Sequence, residues 1–221
     1  MSARENILGR IRTSLHREPG DSAAQVRAHI AAHAISPRPQ VTGDLTAQFC
    51  DKATRLLSTI AEVSTVNEVP ATAAAYLRAH DLPMRAVCWK ALHALDWAAC
   101  GIDVAQRPPH DTDLVGVTEV FCAIAETGTL MTLSGADTPP SASLLPETHI
   151  AVLRTSQIVP SMEEAWQRLR YTHGSESFMP RAVNFISGPS RTADIEQTLT
   201  LGAHGPYRVH IILVSEGEVC A

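Results

Sequence analysis

The segment with the highest density of anion-binding side chains runs from Gly188 to Glu196. A strand-like run, Val183–Ser187, leads into a Gly-Pro turn, and hydroxyl, guanidinium and carboxylate groups follow it. If a helix or helical turn begins here, its free backbone N–H groups would face an anion above the strand. Arg191 could then bind a carboxylate or phosphate through paired N–H donors. The alternative is a capped helix in which Arg191 pairs with Asp194 or Glu196. The segment predicts a binding or assembly site, with these candidate ligand-binding residues: Gly188, Ser190, Arg191, Thr192, Asp194 and Glu196.

A second candidate is the turn Glu126-Thr127-Gly128, which separates two strand-like runs. A carboxylate directly after an apolar strand is costly to bury unless it is paired or acts on a substrate. Glu126 is therefore the candidate catalytic residue, as a general base, a nucleophile or a partner for Arg191. Thr127, Gly128 and Thr129 are candidate ligand-binding residues beside it. The alternative is a solvated hairpin tip in which Gly128 supplies a positive φ.

A third candidate is the loop Gly202-Ala203-His204-Gly205-Pro206, which holds a histidine among turn-forming residues. His204 could donate to an anion or shuttle a proton, although a lone histidine is more often structural. His204 and Gly205 therefore join the candidate ligand-binding residues. His29 and His33 share a helical face but lack an adjacent glutamate and a third ligand, so no metal site is expected.

Composition narrows the classes of partner and cofactor. The formal net charge is −5 with acids and bases intermixed, and phosphate binding needs clustered basic residues, so no nucleic-acid partner is expected. The cysteines lack C-x-x-C spacing, which favours reduced packing residues and a cytoplasmic protein. No apolar stretch approaches the ~20 residues of a membrane span, so no membrane association is expected. Dinucleotide, Walker and G-x-S-x-G motifs are missing from the sequence, and we expect no bound cofactor.

The pattern of elements predicts an N-terminal helical arm at residues 1–40 and an α/β domain at residues 41–221. In the arm, Ser2 and Glu5 have capping-box spacing ahead of a helical run. In the domain, strands alternate with helical runs that start near Asp44, Pro70, Lys90 and Ser161. This alternation favours a Rossmann-like sheet that binds ligands beyond the carboxyl ends of its strands. The predicted strands are Val63–Val66, Arg85–Trp89, Ile102–Ala105, Phe121–Ala125, Thr129–Ser134, Ile150–Leu153, Val183–Ser187 and His210–Val214.

Several of these stretches resemble the LUD-domain family. They are Ile124–Leu130, Leu144-Leu145-Pro146 with His149, Phe185–Glu196 and Leu201–Pro206. The resemblance implies an α/β/α fold of the type shared by NagB, ribose-5-phosphate isomerase and the CoA-transferases. It also implies a role in oxidising L-lactate to pyruvate beside iron–sulfur lactate-utilisation proteins, and a small phosphorylated or carboxylate-bearing ligand.

One segment departs from the family pattern. The family commonly carries a basic residue between the Ser-Gly after the hairpin and the Leu-Leu-Pro, but Ser134–Ser141 contains no Arg or Lys. If that basic residue holds an anion in the family, this chain must rely on Arg191, Arg154 or Arg181.

Three functions are compatible with the sequence. The first is a non-redox subunit of an L-lactate-oxidising system that binds a small anion or partner proteins. The second is a stand-alone enzyme of the CoA-transferase or isomerase type, with Glu126 as nucleophile or base. The third is a metabolite-binding sensor. We favour the first, because the resemblance and the missing redox motifs agree, and a homo-oligomer is compatible with all three.

Overall fold

The computed structural model of the chain describes residues 2–16, 21–32, 41–172, 179–193, 199–202 and 204–215. These residues belong to two units, Met1–Gln40 and Val41–Ala221. The first unit contains helices α1 (Ala3–Ser14) and α2 (Asp21–Ala31). The predicted capping box at the start of α1 is confirmed, because the Glu5 N–H donates to Ser2 Oγ and the Ser2 N–H donates to the Glu5 carboxylate.

The second unit alternates strands with helices along the chain. Its helices are α3 (Leu45–Arg55), α4 (Val69–Ala79), α5 (Lys90–His93), α6 (Ser141–Leu144) and α7 (Met162–Thr172). Its strands are β1 (Thr59–Val63), β2 (Arg85–Cys88), β3 (Asp103–Ala105), β4 (Val115–Glu119), β5 (Cys122–Ile124), β6 (Thr129–Leu133), β7 (Thr148–Arg154), β8 (Ile158–Val159), β9 (Val183–Ile186), β10 (Arg191–Ala193), β11 (Leu199–Leu201) and β12 (Arg208–Val214).

The main sheet has the strand order β1-β12-β7-β4-β2-β3, and every neighbouring pair in it is parallel. The central strands β4, β7 and β12 are almost wholly buried, as expected for parallel strands covered on both faces. Helix α4 packs on one face of this sheet, and α3 with the second sheet packs on the other. The prediction of an α/β fold with a mostly parallel central sheet is confirmed.

The second sheet has the order β8-β5-β6-β9. Strands β5 and β6 form the predicted antiparallel hairpin. Helix α7 begins where predicted, with the Glu164 N–H donating to Ser161 Oγ at 3.4 Å. Its buried residues Ala165 and Leu169 pack against this sheet beside Cys122 and Met131. This packing fixes which side chains of α7 turn toward the neighbouring loops.

The structure differs from the sequence predictions in several places. The first strand is Thr59–Val63 rather than Val63–Val66, because the chain leaves α3 through Leu57, which has a φ of 68°. Strand β4 was not predicted, since Gly116 is a weak strand former in so short a run. No helix begins after Gly188 in the described residues; instead β10 pairs antiparallel with β11.

Candidate functional site

The predicted Glu126 turn packs directly against helix α3. Gly128 has a φ of 68°, and a Cβ at this position would lie 2.5 Å from the Ala53 nitrogen. Glu126 is half-buried, and its backbone N–H donates to the Pro160 carbonyl at 3.1 Å. Gly128 is therefore required by a positive φ and by close approach to a helix backbone.

A row of hydroxyl groups joins this turn to the end of β9. Thr127 Oγ1 donates to Thr129 Oγ1 at 2.8 Å, and Thr129 Oγ1 lies 2.8 Å from Ser187 Oγ. Because Ser187 precedes Gly188, these bonds bring the first and second predicted segments together.

Gly188 and Arg191 both contact the carboxyl end of α3. Gly188 has a φ of 81°, and a Cβ at this position would collide with the Leu56 carbonyl oxygen. Arg191 Nη2 donates to the same oxygen at 2.9 Å. A guanidinium here satisfies a terminal carbonyl and complements the negative end of the helix dipole. We call residues 126–129 and 188–191 the α3-facing turns.

The third predicted segment lies beside Ser190. The Ser190 N–H donates to the Pro206 carbonyl, and the Gly202 N–H donates to the Ser190 carbonyl, each at 2.9 Å. A Cβ at Gly205 would lie 3.2 Å from the Ser190 Cβ, whereas His204 is exposed.

The structure thus gathers most of the predicted ligand-binding residues near α3. Within the described residues, however, no ion pair joins Glu126 to Arg191. Thr192 lies in β10, and Asp194 and Glu196 lie outside the described residues. The contacts found here are packing and capping contacts, so catalysis by Glu126 and ligand binding by the turns stay predictions.

A cavity of about 540 Å³ lies elsewhere, beyond the carboxyl ends of β2 and β4. This is the edge of a parallel sheet at which ligands bind in open α/β folds. No residue of the α3-facing turns lines it, and neither do His204 and Gly205. We call it the carboxyl-edge cavity, and its lining residues are Trp89, Glu119, Val120, Phe121, Leu133, Ser134, Gly135, Thr138, Gln157, Arg168, Thr172 and Pro180.

Arg168 supplies the positive charge of the cavity. It is half-buried on α7, one turn beyond the buried Ala165, so it flanks the face that packs on the second sheet. Its Nη1 donates to the Ser156 carbonyl at 3.2 Å, and its guanidinium carbon lies 6.0 Å from the centre of the Phe121 ring. These contacts hold the guanidinium at the cavity wall.

Glu119 supplies the negative charge, as the half-buried last residue of β4. In the described part of the chain, neither a hydrogen bond to its carboxylate nor an ion pair with Arg168 is found. Next to it, Gln157 donates to the Val120 carbonyl at 2.7 Å and accepts from the Arg154 N–H at 2.9 Å. The Gln157 side chain therefore holds the backbone at Val120, directly after the end of β4.

The loop that follows β6 closes one side of the cavity. Trp89 Nε1 donates to the Pro139 carbonyl at 3.1 Å, and Ser134 Oγ accepts from the Ala182 N–H at 2.8 Å. This loop lies in Ser134–Ser141, the segment that contains neither Arg nor Lys. The cation of the cavity comes instead from Arg168, which sequence reasoning missed because a charged residue on an amphipathic helix ordinarily faces solvent.

The two buried histidines of the main sheet have structural partners. His149, part of the LUD resemblance, lies 2.8 Å from Thr118 Oγ1 through Nε2, and His210 lies 2.8 Å from Thr59 Oγ1 and stacks on Tyr76. Burial lowers the pKa of each imidazole to about 4. Both rings are therefore neutral near pH 7 and join neighbouring strands.

The described residues contain neither a candidate metal site nor a candidate membrane span. No group of three or more His, Cys, Asp or Glu side chains there could hold a metal ion. Among the same residues, no helix has the length and apolar character needed to span a membrane.

Comparisons with known proteins identify this type of domain. Residues 111–214 match the LUD domain family. The chain is 42% identical over 102 residues to lactate utilization protein C of Bacillus subtilis (strain 168), covering 46% of this chain and 42% of that protein. It is 37% identical over 122 residues to lactate utilization protein C of Bacillus licheniformis, covering 55% of this chain and 50% of that protein.

A solved structure extends the likeness beyond this segment. The chain is 27% identical to a DUF162 family protein from Deinococcus radiodurans, with a TM-score of 0.58, covering 80% of this chain and all of that one. The aligned part of this chain spans half or less of the curated relatives described above.

The fold and the cavity define a mixed α/β domain with a ligand-sized cleft at the carboxyl edge of a parallel sheet. The predicted resemblance to the LUD-domain family is confirmed by the match over residues 111–214 and by the similarity of this part of the chain to lactate utilization protein C.

Proposed function

We propose that this chain is a non-redox subunit of an L-lactate utilisation system. The observation that carries the proposal is the LUD match over residues 111–214, together with the relatives named lactate utilization protein C. Oxidation of L-lactate to pyruvate removes an electron pair, which a redox carrier must accept. The proposal assigns that carrier to iron–sulfur partner proteins, and assigns to this chain the binding of a small anion or of those partners.

Growth of a deletion strain tests the role in lactate utilisation. A strain that lacks this gene should fail to grow on L-lactate as sole carbon source and should grow normally on pyruvate, the product of the oxidation. Expression of the chain from a plasmid should restore growth on L-lactate. Unimpaired growth of the deletion strain on L-lactate would overturn the proposal.

Affinity purification tests the partnership. A tagged chain expressed in lactate-grown cells should retain proteins that contain iron and acid-labile sulfide, and the same cells grown on pyruvate provide the comparison. If the chain is needed for growth on L-lactate but purifies without iron or sulfide, the iron–sulfur partnership is wrong.

A further inference from the structure

We propose that the carboxyl-edge cavity binds a hydroxy acid, with the carboxylate on Arg168 and the hydroxyl donating to Glu119. The choice of a hydroxy acid rests on the proposed function. The location rests on the geometry alone, because charge of both signs and apolar walls meet there in a single cavity.

Arg168 has donors available for a carboxylate. A guanidinium carries five N–H donors, and within the described residues the one hydrogen bond of Arg168 uses Nη1 on the Ser156 carbonyl. The ring of Phe121 lies under its guanidinium. A guanidinium held in this way can bind a carboxylate through parallel N–H bonds.

Glu119 defines the second group of the ligand. An ionised carboxylate only accepts hydrogen bonds, and no donor within the described residues bonds to Glu119. A ligand that bonds to Glu119 must offer a hydrogen-bond donor, such as a hydroxyl or an ammonium group. An oxo acid of the same skeleton lacks this donor, so the cavity should distinguish hydroxy acids from oxo acids.

The volume and the apolar walls indicate the size of the ligand. A volume of about 540 Å³ falls within the usual range for small-molecule clefts and exceeds what a molecule as small as lactate fills. Val120, Phe121, Leu133 and Pro180 supply apolar surface beside the charged groups. A hydroxy acid with a branched apolar side chain should therefore bind more tightly than L-lactate.

Isothermal titration of the full chain with L-2-hydroxyisocaproate, L-leucine and 2-oxoisocaproate tests the site. These acids share a carbon skeleton and differ only in the group offered to Glu119. The hydroxy acid should bind more tightly than the oxo acid by about two- to tenfold, the effect of one hydrogen bond. Arg168→Gln should weaken binding of both acids by about ten- to hundredfold, because a bond to a charged group is lost.

Glu119→Gln tests the hydroxyl contact separately. A glutamine amide can donate to an oxo group, so this variant should narrow or reverse the preference for the hydroxy acid and leave the carboxylate contact in place. Arg170→Gln, on the exposed side of the same helix, and Glu147→Gln, exposed before β7, are matched controls that should bind as the wild type.

Several results would overturn the inference. They are no binding of any of the three acids, binding that Arg168→Gln leaves unchanged, or binding of leucine without binding of the hydroxy acid. An unchanged melting temperature shows that each variant is folded. If binding fails while the deletion strain still cannot use L-lactate, only the cavity assignment is wrong; if binding holds while that strain grows, the proposed function is wrong.

Discussion

The α3-facing turns and the carboxyl-edge cavity contrast in how their residues are distributed along the chain. The turns come from two short segments rich in glycine, hydroxyl and charged residues, and their contacts are made with the backbone of α3. The cavity draws its residues from β4 and the link after it, from the end of β6, from the loops after β2, β6 and β7, from α7, and from the segment before β9. A short segment dense in polar residues can therefore indicate close backbone packing, whereas the ligand-sized cleft is formed by residues that are far apart in the sequence.

The reason for the contrast is steric. A helix that packs its backbone on a turn needs glycine at the contact, and its last carbonyls need a donor. Gly128, Gly188 and Arg191 meet these needs at α3. A cavity wall needs only side chains of suitable size and charge from whichever elements surround it, and no local sequence rule joins Glu119 to Arg168.

The largest expected effect is at the glycines of the turns. Gly188→Ala and Gly128→Ala should each lower the free energy of unfolding by about 2–5 kcal/mol, since a left-handed φ and a steric collision add. Equilibrium unfolding in urea measures this.

Gly43→Ala is the matched control for the glycines. Gly43 also has a positive φ, but a Cβ there would have its nearest neighbour at 3.7 Å. Gly43→Ala should lower the free energy of unfolding only by the cost of the left-handed φ, about 1–2 kcal/mol. Equal decreases in the free energy of unfolding for the variants at Gly43, Gly128 and Gly188 would contradict close packing of the turns on α3.

A smaller effect is expected at Arg191. Because its side chain is exposed and bonds to the end of a helix, Arg191→Gln should cost less than about 1 kcal/mol of stability. Affinity for L-2-hydroxyisocaproate, measured by titration calorimetry, should be unchanged. Arg181→Gln, at another exposed position, provides the control. A tenfold or greater loss of affinity in Arg191→Gln alone would show that the anion binds at the α3-facing turns and not in the carboxyl-edge cavity.

Much of the fold could be predicted from the sequence because its signals are local. The hairpin Cys122–Leu133 is marked by apolar runs around a glycine turn, and α7 by Ser161 with Glu164 at capping spacing. The hairpin of β10 and β11 could not be predicted, since it is held in place by backbone contacts between distant segments: the Ser190 N–H donates to the Pro206 carbonyl, and the Ser190 carbonyl accepts from the Gly202 N–H.

The carboxyl-edge cavity could be predicted only in its general position. The rule that ligands bind beyond the carboxyl ends of parallel strands points to this edge. Glu119 gives a weak signal as a carboxylate after an apolar run. Arg168 gives none, because its place in the cavity depends on the tertiary packing of α7 through Ala165 and Leu169.

Amide chemical-shift mapping of the isotope-labelled chain with L-2-hydroxyisocaproate shows which of the two regions binds a hydroxy acid. If the carboxyl-edge cavity is the binding site, the largest amide shifts should occur at Val120, Phe121, Ser134–Thr138 and Arg168, with little change at residues 126–129 and 188–191. Shifts confined to the α3-facing turns, with the cavity amides unchanged, would contradict binding in the cavity.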